Sequence, residues 1–443
     1  MSRVKFDYVM SAVNMLGVNT KHYYETEEKS AAFSAGLQEM MDIVNTSLKS
    51  KLKNVDSSVS VLFNAFTEGD HTEIYEKTNN MGADLLYADS GGLQIVTAGK
   101  EITEPLKDKV YTVQCKADRG MCFDVIPLES VSLFRSKTER SKINNKLFIS
   151  ENHREAGRLT GGNILRQCEI FEQNNASTKV LVIVQGNRYD DMLMYFDEIQ
   201  KQIPEKYMKY IAGIALADTC MGNGELESIE MLKAGHLISK TAHPAYSQHL
   251  HLLGVGSISR MKPVIYMSKA GLLDNFKRIS YDSTTHTSSL LFGKFTANGK
   301  SDNIGLYRNP HAEMQLKKIY DFFESYISKY ATLDKFYNFA FNPETGRFTK
   351  TEIVNRAKIG TTDNFIACAS VCVMYVYYQV HDFILQLDKA WANAENDHST
   401  IGKLSRLTSM DDLNYWIDNY SQHVGTNRIM RKEERNSLES FFG

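Results

Sequence analysis

The segment DLLYADSGGLQ, residues 84–94, sets a short apolar run against an aspartate and two glycines. Leu85–Ala88 is apolar on both faces, as a parallel strand covered by helices should be. Asp89 stands where the run stops, and Ser90, Gly91 and Gly92 supply the small residues of a turn into the next element. The same signature recurs along the chain. VSVLFNA (59–65), VYTVQCK (110–116), CFDVIPL (122–128), VLVIVQG (180–186), YIAGIALAD (210–218), HLHLLGVG (249–256) and ISYDSTT (279–285) all read as buried strands. Between them the apolar spacing predicts helices over 156–174, 189–202 and 225–241. Alternation of this kind is the pattern of repeated βα units, which a closed barrel and an open doubly wound sheet both satisfy. No Gly-rich phosphate loop follows the first strands, which counts against a nucleotide-binding open sheet.

Composition narrows the class. A chain of 443 residues with a 42% apolar share holds a large core, and an α/β barrel with insertions reaches this length. The net charge of −2 provides no global attraction to phosphate, so contact with nucleic acid requires a local basic surface. Six cysteines, at 115, 122, 168, 220, 368 and 372, show no framework spacing and read as free thiols in a reducing cytoplasm. MSRVKFDYVMSAVNML at the start lacks the unbroken apolar core of a signal peptide, and the most apolar run, 365–380, is short for a bilayer. The expectation is a cytoplasmic protein with no membrane partner. Beyond about residue 295 the pattern changes: 306–330, 366–393 and 409–421 look helical, around a turn-rich NPETGRF (342–348). This divides the chain into barrel strands and helices over 1–295 and a helical insertion, last barrel helix and C-terminal extension over 296–443.

Barrel enzymes carry their chemistry where strands end. Asp89, Asp124, Gln185 and Asp282 each follow an apolar run and precede a turn. One strand-end aspartate is ordinarily a cap for the next helix; four polar ends on one rim can build a pocket.

Those residues resemble a known family. ADSGGLQ (88–94) is similar to the DSGGFQ signature of tRNA-guanine transglycosylases, and five further motifs follow in the family's order. FDVIP (123–127) resembles its FDE-type segment, VIVQG (182–186) its IVQGG, GIALAD (213–218) its GLAVGE, and LLGVGS (252–257) its MGVG. YDSTTHTS (281–288) stands where the family has FDCVLPTR. The resemblance spans roughly residues 59–290, and it selects the (β/α)8 barrel over the open sheet. It implies Asp282 as nucleophile and Asp89 as general acid/base. It places Asp124 on the N1–H and 2-amino edge of guanine, with Gln185, Gly186 and the backbone at Gly213 around O6. Ser90, Gln94 and Leu253 would line the rest of the base pocket.

The chemistry needs those residue types. Displacing a purine from C1′ passes through an oxocarbenium-like state, which a nearby carboxylate stabilises before bonding to it. A second carboxyl moves the proton of the departing and incoming bases, and a third reads an N–H edge. Neither a cofactor nor a metal is required.

The family's zinc cluster has no counterpart, because the stretch 292–367 contains no cysteine. A barrel without that module and with a divergent helical C-terminus resembles the phage DNA 7-deazaguanine transglycosylases. This implies exchange of guanine in DNA for preQ0 or a related 7-deazaguanine, shielding phage DNA from restriction in the host cytoplasm. The target guanine must be flipped out of the duplex or presented on a single strand. The basic segment 135–158, with Arg135, Lys137, Arg140, Lys142, Lys146, Arg154 and Arg158, is the candidate clamp on the nucleic-acid backbone. His286, close to Asp282, is read either as a phosphate contact or as a satisfied hydrogen-bonding residue. His249 and His251 share one strand face and, with His243, form only a weak metal pattern. The same motifs also fit a tRNA enzyme without zinc, a non-catalytic partner subunit, or an unrelated two-carboxylate barrel hydrolase. A homodimer is compatible with all of them.

Overall fold

KFDYVM, Lys5–Met10, forms the first strand, β1, although its mixed polarity hides it from a search for apolar runs. In the computed structural model, residues 5–11, 38–68, 82–92, 102–127, 149–217, 225–286, 294–303 and 369–420 are described, with isolated exceptions inside those stretches. Seven more strands complete the wall: β2 (Asp56–Asn64), β3 (Leu86–Asp89), β4 (Arg119–Met121), β7 (Lys179–Val184), β8 (Ile211–Leu216), β9 (His249–Leu252) and β10 (Arg278–Ser283). They run parallel in the order β1-β10-β9-β8-β7-β4-β3-β2 and close into a barrel, β1 pairing with both β10 and β2. Two short pairs lie outside the wall: β5 (Ile126–Pro127) with β6 (Ile149–Ser150), and β11 (Lys294–Ala297) with β12 (Lys300–Asn303). The (β/α)8 class expected from the motifs is the observed one.

Among the described residues the helices include α1 (Glu104–Gln114), α2 (His153–Gln173), α3 (Tyr189–Gln202), α4 (Glu225–Thr241), α5 (Ile258–Lys269), α6 (Ala369–Asn393) and α7 (Met410–Asp418). Among the described residues, no helix is long and apolar enough to cross a membrane.

Two expected strands are corrected. VYTVQCK is the end of α1, not a strand. Thr103 caps that helix by accepting from the Leu106 N–H, and Pro105 and Glu104 occupy its first turn, where a missing N–H and a negative charge are both favourable. Lys107, Val110, Tyr111 and Gln114 are its buried face, a helical spacing that the alternating valines disguise. The fourth strand is the three-residue Arg119–Met121, so Asp124 follows its strand by three residues.

The C-terminal helices belong to the barrel's outer layer. Trp391 of α6 meets Phe6 edge-on at 6.0 Å, and Phe383 packs against Tyr8 and Tyr281. Asp388 accepts from the main-chain N–H groups of Asn54 and Val55, fixing α6 to the entry of β2. Burying rings of this size contributes roughly 2 kcal/mol apiece, which secures the seam between β1 and β10.

The inward-facing residues of this barrel are unusual. Strand side chains alternate between faces, and Asp7, Ser60, Tyr87, His249, His251, Ser280 and Asp282 are all buried. Most barrels fill that space with branched aliphatic residues.

Candidate active site

At the carboxyl ends of the strands, Asp282 is the penultimate residue of β10 and Asp89 the last of β3. Asp124 sits in the loop after β4. Its segment is clamped from the helix layer: Asn163 donates to the Phe123 carbonyl, Thr160 accepts from the Val125 N–H, and the Tyr195 hydroxyl donates to the Val125 carbonyl. A carboxylate on a loop is thereby held about as firmly as one on a strand.

Asp89 feels the other two carboxylates. Burial first, and then the negative charges of Asp282 and Asp124, raise the Asp89 carboxyl to about 6. The main-chain N–H groups of Gly91 and Ser90 pull the other way by bonding to the ionised form. Burial also raises the Asp124 carboxyl, against the side-chain amide of Gln185, which donates to Asp124 Oδ2 at 2.5 Å. Two like charges near a third group make its ionisation costly, so Asp89 holds its proton up to about pH 6.

The turn after β3 depends on glycine. Gly91 has φ of +72°, and a Cβ there would lie 2.5 Å from the Asn64 side-chain oxygen and 2.8 Å from Phe66 Cβ. Asn64 needs that oxygen to cap the neighbouring turn after β2, accepting from the Phe66 N–H at 3.0 Å. Ser90, buried next to Asp89, accepts from the Gly92 N–H.

Asp282 is 8% exposed. Its Oδ1 accepts from the main-chain N–H of Gly254 at 3.0 Å and lies 3.6 Å from His251 Nε2. Leu253 immediately precedes that glycine and is tied by its N–H to the Leu216 carbonyl at the end of β8. Leu253, Gln185, Asp89, Asp124 and Asp282 thus all stand at the carboxyl ends of their strands or in the loops just beyond. Gly186 lies beside Gln185, buried against the first turn of α3.

Other expected site residues lie elsewhere. Gly213 is the third residue of β8, low in the wall, at φ +156°. A Cβ there would overlap the His249 carbonyl oxygen, so the close approach of β8 and β9 accounts for the glycine. His286 is buried, not turned to solvent. Its Nδ1 is 2.7 Å from the Tyr8 hydroxyl, and its ring packs on Phe383 at 4.8 Å. Burial pushes its pKa down to about 4, so it is a neutral packing residue and not a cationic phosphate contact. Arg135, Lys137, Arg140, Lys142 and Gln94 lie outside the described residues. Arg154 and Arg158 are paired, with Glu198 at 2.8 Å and Glu155 at 2.7 Å.

His243 is remote from the other two strand-associated histidines in role: its Nδ1 accepts from the Ala245 N–H, and Nε2 faces Glu205 at 3.2 Å. Among the described residues, no group of three or more histidine, cysteine or acidic side chains is placed to hold a metal ion. The groove between α1 and α2 also holds cations, but each has a partner: Lys107 with Glu104 and Asn163, Arg166 with Asp108.

The apposition of His251 to Asp282 is a feature that the motifs do not single out. Its signal is polar residues at every second position of otherwise apolar strands: His249 and His251 in HLHL, and Arg278, Ser280 and Asp282 in RISYDS.

No protein-family model matches the chain, and no curated protein matches its sequence. The likeness to transglycosylases is carried by the six motifs alone.

Proposed function

We propose that the protein is a base-exchanging transglycosylase that replaces guanine in DNA with a 7-deazaguanine such as preQ0. The observation that carries this reading is the convergence of Asp89, Asp124 and Asp282, with Asp89 held protonated to about pH 6 by its burial and by the charges of the other two. The third carboxylate, bonded to the Gln185 amide, adds to the pair a polar edge suited to recognising the N–H groups of a base.

Asp282 attacks C1′ of the flipped nucleotide. The C1′–N9 bond breaks, its electron pair leaves with the purine, and Asp89 supplies the proton that the purine gains. The result is an aspartyl ester of the deoxyribose. The incoming base loses a proton to Asp89, its nitrogen attacks C1′, and the C1′–oxygen bond returns its electron pair to Asp282. Asp124 and Gln185 together present an acceptor and an amide to the edge of the base, as recognition of guanine by its N–H groups and O6 requires. DNA is preferred to tRNA as the polymer because the cysteine cluster of the tRNA enzymes is missing from the sequence.

The test is incubation of the full chain with radiolabelled guanine and either duplex DNA, single-stranded DNA or tRNA. Label in DNA supports the reading. Label in tRNA alone would replace the polymer, and no label in any of them would overturn the reading. Mass spectrometry of nucleosides from DNA digested after incubation with preQ0 identifies the product.

A further inference from the structure

A file of buried polar side chains runs through the barrel beneath Asp282. Tyr87 donates its hydroxyl proton to Asp7 Oδ2 at 2.9 Å and lies 3.4 Å from His249 Nε2. His249 Nε2 is 2.6 Å from the Ser280 hydroxyl, and that hydroxyl is 2.7 Å from His251 Nδ1. His251 Nε2, at the far side of the ring, is 3.6 Å from Asp282 Oδ1 and has no hydrogen-bond partner.

A serine hydroxyl has one proton and two lone pairs, and Ser280 also bonds to Tyr87, so three arrangements are open: Ser280 donates to one imidazole or the other, or it donates to Tyr87 and accepts from both. If His249 donates from Nε2 and Ser280 donates to His251 Nδ1, the proton of a neutral His251 sits on Nε2, aimed at Asp282. The remaining His249 Nδ1 is then a buried lone pair without a donor, which costs less than a buried N–H without an acceptor. The reverse direction leaves such an orphan N–H on His249 and turns a His251 lone pair against the Asp282 carboxylate. A doubly protonated His251 again puts a hydrogen on Nε2. Only the neutral Nδ1–H form, reached in the reverse direction or when Ser280 donates to Tyr87, fails to offer Asp282 a donor; it sets a lone pair of His251 Nε2 against the carboxylate 3.6 Å away, and that apposition disfavours it.

We propose that His251 is a positioning residue for Asp282: its Nε2–H, oriented by Ser280 and His249, joins the Gly254 N–H in holding Oδ1, so that Oδ2 is the oxygen that bonds to C1′. The distance of 3.6 Å is longer than a hydrogen bond, and such contacts shorten when substrate fills a site. Oδ1 becomes the carbonyl oxygen of the ester and keeps both donors. When the incoming base displaces the aspartate, charge returns to the carboxylate, and two donors already stand at Oδ1 to receive it. The kinetic part of this inference rests on the transglycosylase reading; the hydrogen placement does not.

Two measurements test it on the full chain. In protein labelled with 15N-histidine, the ring nitrogens of His251, assigned by their loss in His251→Gln, should show a protonated Nε2. A neutral ring protonated at Nδ1 overturns the proposal. In the labelled-guanine assay with DNA, His251→Ala should lower kcat on the order of 10²-fold with KM for the base unchanged. His251→Gln, whose side-chain amide reaches the position of Nε2, should recover most of the loss. A folded His251→Ala with wild-type kcat, or a Gln variant as slow as the Ala variant, overturns it. Should the wild-type protein label neither DNA nor tRNA, the transglycosylase reading falls while the ring measurement still decides the placement of the proton.

Discussion

The main-chain N–H of Gly254 donates to Asp282 Oδ1 at 3.0 Å, joining the turn after β9 to the end of β10. A strand-end carboxylate is thereby fixed by its neighbour's backbone, which no side-chain substitution removes. The oxygen so engaged is the one facing His251, and the aspartate is set at the rim before any substrate arrives.

Asp282→Asn is expected to abolish exchange, with a loss on the order of 10⁴-fold or more, as removal of a nucleophile does. The amide oxygen still accepts from Gly254, so thermal unfolding should be unchanged or slightly raised. Full activity in a folded Asp282→Asn protein would remove the mechanism.

Asp89 sets a pH dependence of known sign. Its folded pKa, about 6, lies above the ordinary 3.8, so the folded state binds the proton more tightly than the unfolded chain. Its contribution to stability is full below about pH 4, is lost as pH rises toward 6, and is absent above that. Asp89→Asn should remove this share of the pH dependence and stabilise the protein at pH 8, relative to wild type, by about 1–3 kcal/mol, read from chemical denaturation of both proteins at pH 4 and pH 8. Release of labelled guanine in a single turnover should fall as pH rises above about 6, where the acid is lost. A flat rate between pH 5 and pH 8 would dismiss Asp89 as the proton donor.

Asp124→Ala leaves the Gln185 amide without its 2.5 Å acceptor and the base without one of its own. The expected result is weaker binding of guanine by about 10–100-fold, with a smaller effect on kcat than Asp282→Asn produces. Competition between guanine and hypoxanthine separates recognition of the 2-amino group from general damage: the variant should discriminate less than the wild type.

Two glycines give opposite outcomes. Gly213→Ala drives a Cβ into the His249 carbonyl and should destabilise the barrel by more than about 3 kcal/mol. Gly162, exposed on α2 with nothing within 4 Å of a built Cβ, should gain about 0.5–1 kcal/mol on conversion to alanine. Equal melting temperatures for the two variants would contradict the β8–β9 packing.

Charge reversal at Arg135, Lys137 and Arg140 tests the clamp read from the sequence. DNA affinity should fall, and the log–log slope of affinity against salt should flatten by about one unit for each phosphate that is no longer neutralised. An unchanged slope returns these residues to an ordinary solvated surface.

Much of the barrel was legible because most of its strands carry buried apolar runs: 180–186, 210–218 and, with two histidines interleaved, 249–256 all contain observed strands. The helices over 189–202 and 225–241 have the expected bounds. β1 escaped because Asp7 interrupts it, and Asp7 is tolerated only because Ser60, Tyr87 and Arg278 surround it in space. RGM (119–121) is too short to carry any periodicity. The rim aspartates could be read from their positions after apolar runs, whereas the partner of Asp282 could not. The approach of His251 to it depends on the parallel register that sets Leu252 beside Tyr281.

Pairing of β1 with β10 has a consequence for biosynthesis. The ion pair between buried Asp7 and half-buried Arg278 joins residues 271 positions apart, so the wall cannot close until the nascent chain has reached β10, Arg278–Ser283. Until then β1 exposes one unpaired edge, and Asp7, though Ser60 and Tyr87 are already made, lacks its cationic partner. During translation the half-built barrel is therefore the species most open to mispairing with other chains, and shielding by a chaperone would act on it before Arg278 leaves the ribosome.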